Sequence, residues 1–327
     1  MIRTSAATLC FASMLSVGCE FLSNDVAAVE AGPATDESDD LGGLPAPWIE
    51  IWRDDFEGAR GTAPDPTKWT PEVTPRPANN ELEYYTDRRD NSFLDGKGHL
   101  VIQAIHENYL GSSQPYTSGR LNTSRLFETT YGRFEARIRL PLGTGLWPAF
   151  WLLGANFPTV GWPACGEIDV LEEAGSHPTI AHGTAIGSNA MYATSTYTVP
   201  KGNLVDEFHL FALEWGPDSL KWFVDGAMYE SHTKDDLVKA GVPWTFDHPF
   251  YMILNLAVGG TYDGPPAAGT MFPAQMFVDR VVVGRMPGLD AATPPDVAAE
   301  ASADGADASA DAQQGVPDGT GAQDASE

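Results

Sequence analysis

Phe134-Glu135-Ala136-Arg137-Ile138-Arg139-Leu140 sets apolar side chains at the even positions and charged ones at the odd positions. A period of two sends successive side chains to opposite faces of an extended chain, so this stretch predicts a strand with one dry and one wet face. Residues 99–105 repeat the pattern, with Leu100, Ile102 and Ala104 facing inward. Residues 220–224 alternate into Asp225-Gly226, a pair suited to the positive-φ positions of a type I′ hairpin turn. Residues 251–258 are almost continuously apolar, as for a strand covered on both faces. Helical signals are confined to 233–240, where Thr233 and Asp236 have capping-box spacing and Gly241 is a stop. No repeat of ~20–50 residues runs through the chain, against a propeller or solenoid. Nothing resembling a linker interrupts 47–285, so the expectation is one all-β domain, a sandwich of two antiparallel sheets.

The charge balance narrows the function classes. The 327 residues include 45 Asp+Glu against 19 Lys+Arg, a net charge of −26. Such a chain would be repelled by nucleic acid, anionic membrane surfaces and polyanionic substrates. Three cysteines are too few for a disulfide scaffold. Much of the charge sits in two segments, 20–46 and 286–327, which contain acids but neither Lys nor Arg. Neither can bury enough apolar surface to offset its ordering entropy, so both are expected to be disordered. The first nineteen residues combine Arg3, an apolar run over 6–17 and small residues, the pattern of a secretory signal. They end on Leu15-Ser16-Val17-Gly18-Cys19, which resembles the lipobox of bacterial lipoproteins, with Cys19 as the lipidated residue. Ser16 stands where that motif usually has Leu, and the alternative is a plain secretion signal in which Cys10 and Cys19 are incidental. Either reading exports the protein, as a cell-envelope lipoprotein or a secreted form.

Gly166-Glu167-Ile168-Asp169-Val170-Leu171-Glu172-Glu173 is the strongest candidate for chemistry. On a regular strand Glu167 and Asp169 share a face and Glu172 points the other way. On a helix the three would not converge either. A β-bulge near Val170-Leu171 would absorb one residue and bring Glu172 onto the face of the other two. Like charges in a row resist ionising together, a cost that a retaining glycosidase uses by placing two carboxyls about 5–5.5 Å apart as nucleophile and acid/base. An acidic solvent face or a cation site is the alternative. Trp147 and Trp151, four positions apart, could present flat indoles to a sugar or fill a core. Cys165 is expected to be a buried thiol and not a nucleophile.

The runs WPAFWLLG (147–154) and GWPACGEIDVLEEAG (161–175) resemble the catalytic heart of glycoside hydrolase family 16, in its bacterial laminarinase-like branch of endo-β-1,3-glucanases. WRDDF (52–56), NNELEYYT (79–86), YTSGRL (116–121), YGRFEARIRLP (131–141), WFVDG (222–226), FDHPFYMILNLAVGG (246–260) and FVDRVVV (277–283) carry the resemblance along most of 47–285. It implies a jelly-roll sandwich with a concave groove and a retaining double displacement on a β-glucan by a monomer. Glu167 would be the nucleophile, Asp169 its helper and Glu172 the acid/base, with Glu173 pointing away. Trp147 and Trp151 would be sugar platforms, and Asn80 and Arg120 would bind glucose hydroxyls, Arg120 having a structural ion pair as its alternative. No catalytic cofactor is implied. A structural calcium is, near Asp279 and Gly98 with Asp55 as a third ligand, since hard oxygens suit that ion. One departure stands out: the branch's HGTxHG motif is His182-Gly183-Thr184-Ala185-Ile186-Gly187 here, with Ile186 in place of the second His. Cleavage of mixed-linkage glucan, transglycosylation and a non-catalytic glucan-binding lectin are the competing functions. The bulged spacing disfavours the lichenase and xyloglucan-transferase branches. The protein's acidity disfavours the sulfated chains taken by carrageenan hydrolases.

Overall fold

The computed structural model describes residues 43–288. The leader 1–19 with Cys19, and nearly all of both acidic segments, lie outside the described residues. Among the described residues, seventeen strands and three short helices form a jelly-roll sandwich of two sheets. The seven-stranded sheet runs in the order Tyr192–Thr198, Ile180–Ile186, Glu167–Glu172, Leu146–Gly154, Phe250–Val258, Arg120–Asn122 and Thr70–Pro71. The ten-stranded sheet is built around Gly132–Arg139, His209–Gly216 and the long closing strand Ala274–Arg285.

The alternation in 134–140 becomes burial. Phe134, Ala136, Ile138 and Leu140 enter the core between the sheets, together with Leu100, Ile102 and Ala104. Removing each large apolar side chain from water contributes about 1.5–3 kcal/mol, which is what holds the layers together. The charged positions take the outer face, but that face is not wholly wet as expected: Arg133 and Glu135 are buried, because Arg133 clasps both Glu135 (2.5 Å) and Glu214 (2.7 Å), while the half-buried Arg137 meets Asp279 (3.1 Å). All nine residues of Phe250–Val258 are buried. Phe250, Met252, Leu254, Leu256 and Val258 face the main core, while Tyr251 and Ile253 join a second cluster with Leu153 and Cys165. Asp225 and Gly226 have φ of 50° and 78°, as a type I′ turn demands. The helix Lys234–Lys239 carries the full Thr233/Asp236 capping box, and Gly241 follows it with φ 83°.

The sheets are not wholly antiparallel. Glu83–Tyr85 pairs with Tyr116–Ser118 in parallel. Two other strands, Ser92–Leu94 and Leu100–His106, lie between them in the chain, a connection long enough to bring the chain back in the same direction.

Candidate active site

The bulge is present. Along the neighbouring strand Leu146–Gly154, Asp169 opposes Trp151 and Leu171 opposes Phe150, which leaves Val170 without a partner. On the other side Asp169 opposes Thr184 and Glu172 opposes His182, so three steps face two. As a result Ile168, Val170 and Leu171 all enter the core. Glu167, Asp169 and Glu172 are left to share the outer face of the seven-stranded sheet. The core holds this kink in place. The indole of Trp222, reaching from the ten-stranded sheet, donates to the Asp169 carbonyl at 2.8 Å. Gly183 makes room for that ring, since a Cβ there would lie 2.3 Å from Trp222.

The three acids have unequal surroundings. Burial pushes the Glu167 carboxyl up to about 7, but Asp169, Trp162 and Arg120 all favour its anion. Trp162 donates its indole N–H to Glu167 Oε2 at 2.9 Å. Burial also pushes Glu172 up to about 7, the negative charge of Glu167 adds to that push, and only the Trp147 indole opposes it. Trp147 donates to Glu172 Oε1 at 3.0 Å. Asp169 is pushed strongly upward by burial and by the charges of both glutamates, and it shares a hydrogen bond with Glu167. Both glutamates are thus pushed to about 7, and the groups that favour the anion are more numerous around Glu167 than around Glu172. Two like acids whose environments separate their protonation states are what acid/nucleophile chemistry requires.

Around this row the structure gathers several aromatic groups. Trp147 stacks on Tyr262, with ring centroids 4.7 Å apart and planes 18° apart. Burial holds His182 below its ordinary pKa and holds Tyr262 above its own, and the hydroxyl and His182 Nδ1 share a hydrogen bond at 2.7 Å. Trp151 donates to Asn255 Oδ1 at 2.7 Å, and the Arg120 guanidinium lies 4.8 Å from its ring centroid. Arg120 also makes the ion pair considered from sequence, with Glu72 at 2.9 Å. Asn80 is exposed with φ 59°, beside the turn Gly260–Asp263 that carries Tyr262. Ile186 pairs with Glu167 across the strands and is buried, giving Glu167 an apolar neighbour. Glu173 is fully buried, and burial pushes its carboxyl up to about 8, with the charge of Asp263 adding to the push. Cys165 is buried, and burial pushes its thiol up to about 11, so it is no thiolate.

Sequence reasoning missed Trp162, Tyr262 and Asn255. The first two come from short helical or turn segments with no periodic pattern, and the third from a strand whose apolar neighbours mask it. Tyr192, exposed at the edge beside Ile186, is close enough to feel the charge of all three acids.

The three residues suggested for calcium meet at one corner, on the other sheet. The Asp55 carbonyl lies 3.8 Å from where a Cβ on Gly98 would stand, and Asp279 is 3.7 Å from His99. Both carboxylates have cationic partners: Asp279 meets Arg137, and Asp55 takes both oxygens to Arg53 Nε at 2.7–2.8 Å. The donors on hand for an ion also include the Glu57 carboxylate, whose Oε1 lies 3.6 Å from the same point beside Gly98. Among the described residues no three His, Cys, Asp or Glu side chains are grouped to hold a metal.

A β-sandwich whose outer face holds two glutamates titrating near neutrality, each hydrogen-bonded by an indole, has the groups that glycoside hydrolysis uses. Residues 79–275 match the model of Glycosyl hydrolases family 16. The chain is 39% identical over 250 residues to the beta-glucanase of Rhodothermus marinus, covering 73% of this chain and 85% of that protein. Among solved structures it is similar to the endo-beta-1,3-glucanase of Pyrococcus furiosus, with TM-score 0.68 and 44% identity over 72% of this chain and 94% of that one. It is similar also to the laminarinase catalytic domain of Thermotoga maritima, with TM-score 0.68 and 40% identity over 73% and 98% of the two chains. The chain belongs to glycosyl hydrolase family 16.

Proposed function

We propose that the protein is an exported, retaining endo-β-1,3-glucanase acting on laminarin-type β-glucan. One observation carries the reading: the bulge sets Glu167 and Glu172 on one face, with more groups favouring the anion around the first than around the second. The names of the similar proteins support the β-1,3-glucan substrate. In the first step Glu167 attacks the anomeric carbon as the glycosidic C–O bond breaks, and Glu172 passes its proton to the departing oxygen. In the second step Glu172, now a carboxylate, takes a proton from water. That water attacks the anomeric carbon and releases Glu167, so the configuration is retained. Asp169 keeps its hydrogen bond to Glu167 throughout, and Trp147 and Trp151 carry the sugar rings.

The test is hydrolysis of laminarin followed by proton NMR: new reducing ends should appear first as the β-anomer. No cleavage, or first appearance of the α-anomer, would refute the proposal. Ile186 beside Glu167 favours a second reading, altered linkage choice, because an apolar wall replaces a hydrogen-bonding side chain next to the reacting carbon. Product analysis on lichenan against laminarin separates the two. Export and lipidation rest on residues 1–19, and palmitate labelling that is lost in Cys19→Ala would support the anchor. The calcium at the Asp55–Gly98–Asp279 corner is also a proposal, and it takes no part in the reaction. Added calcium should raise Tm without changing kcat, and a calcium-independent Tm after chelation would remove it.

A further inference from the structure

Trp151 is the start of a hydrogen-bond chain that leaves the candidate site and ends at a pair of buried acids. An indole N–H can only donate, so the oxygen of the Asn255 amide must face Trp151. The amide's NH2 is thereby turned to the Tyr85 hydroxyl, at 3.2 Å. Having accepted from Asn255, the hydroxyl spends its one proton on Glu81 Oε2, also at 3.2 Å. The other Glu81 oxygen accepts from the Asn79 side chain at 3.2 Å, next to the exposed Asn80. Beyond Glu81 stands Glu83, fully buried and within hydrogen-bonding reach of it. Glu83 Oε2 accepts the backbone N–H of Val258 at 2.7 Å, whereas Glu83 Oε1 is buried and receives no hydrogen.

Three of the four carboxyl oxygens are therefore acceptors already. Two adjacent anions, one with an unsatisfied buried oxygen, would be costly. We propose that Glu83 is a positioning residue that stays a neutral carboxylic acid, its proton on Oε1 donated to Glu81, and that this proton fixes the direction of the chain orienting Trp151 and the Asn79-Asn80 loop for sugar binding. The surroundings agree. Burial drives Glu83 well upward, with Glu81 adding to it. The other titratable groups near the pair are Tyr85, held protonated by burial and by the charges of both acids and itself within hydrogen-bonding reach of Glu83, and Arg120, which is paired with Glu72 and close enough to feel the charge of Glu81. Ionising Glu83 at alkaline pH would set two anions side by side, release Tyr85 from its fixed direction and loosen Trp151.

The inference rests on the reading of Trp151 as a sugar platform, and its test has one arm that needs no substrate. Glu83→Gln supplies a permanently neutral group that can still donate to Glu81 and accept from Val258, whereas Glu83→Leu supplies neither. On laminarin at pH 6, Glu83→Gln should keep KM within about twofold of wild type, and Glu83→Leu should raise it by about fivefold or more with a smaller change in kcat. As pH rises through the alkaline range, wild-type KM should climb and that of Glu83→Gln should not. In parallel, Glu83→Gln should gain Tm relative to wild type with rising pH, because an acid whose pKa is raised on folding loses stability as it is forced to ionise. Glu83→Gln behaving like Glu83→Leu at pH 6, or a Tm difference from wild type that is independent of pH, would overturn the assignment. If wild type does not cut laminarin, the functional reading falls by itself, and the Tm comparison still decides the protonation of Glu83.

Discussion

The outer faces of the two sheets treat their carboxylates in opposite ways. On the outer face of the ten-stranded sheet three carboxylates have guanidinium partners: Glu135 and Glu214 share Arg133, and Asp279 meets Arg137. Just past that sheet's strand Leu100–His106, burial pushes Glu107 up, but hydrogen bonds from Arg88 and Thr117 bring it below the usual carboxylate range. On the seven-stranded sheet Glu167, Asp169 and Glu172 have no ion-pair partner within salt-bridge distance, only indole and carboxyl donors, and all three are pushed upward. A paired carboxylate is held in one protonation state and contributes to structure. An unpaired one in a partly dry place exchanges its proton near neutral pH, which is where acid/base chemistry needs it.

If the contrast is right, mutations on the two faces should fail differently. Glu167→Ser should cost laminarin hydrolysis on the order of 10⁴-fold or more, and Glu172→Ala about 10²–10⁴-fold, with circular dichroism and Tm nearly unchanged. A large fall in Tm would make them structural acids like those opposite. Arg133→Ala should do the reverse. It leaves Glu135, 5% exposed, without its cation, and should lower unfolding free energy by about 3–5 kcal/mol in urea titration. Its kcat at low temperature should stay close to wild type.

Trp222→Phe links the two sheets. Loss of the indole N–H leaves the Asp169 carbonyl buried without its donor, so stability should drop about 1–3 kcal/mol. The kinked strand should relax, and kcat should fall more than KM changes. Equal kcat with lower Tm would show that the kink does not need this clamp. The smallest effect sharpens the comparison by pH. Glu167 and Glu172 both sit at about 7, so activity should follow a narrow bell near neutrality whose limbs belong to the coupled pair. Glu173 has its pKa raised from 4.5 to about 8, so the folded state binds the extra proton and stability falls as pH rises across that interval. Glu173→Gln should flatten this part of the Tm–pH curve, and an unchanged slope would contradict the raised value.

Much of the fold was legible because it rests on local periodicity. The dry face of 134–140, the Asp225-Gly226 turn and the Thr233 cap each follow from residues a few positions apart. The row of acids was legible for a related reason: only an extra residue in the strand lets Glu172 join Glu167 and Asp169, and the core side of that register, Ile168, Val170 and Leu171, is wholly apolar. The parallel pair of Glu83–Tyr85 with Tyr116–Ser118 was not legible, since strand direction across a long connection leaves no mark in either segment. Trp162 and Tyr262 were hidden for the same reason. Each reaches its carboxylate or indole from a segment whose own sequence is irregular.

What the sequence determined by itself was which side chains share a face, because that depends on a period of two and on one residue too many near Val170. Where the protons reside was decided by the tertiary structure. Trp162, Trp147 and Arg120 distinguish Glu167 from Glu172, and Val258, Tyr85 and Asn255 single out Glu83 as the acid that must stay neutral. A carboxyl's charge depends on burial and on donors brought from distant parts of the chain, and neither exists until the two sheets have closed on each other.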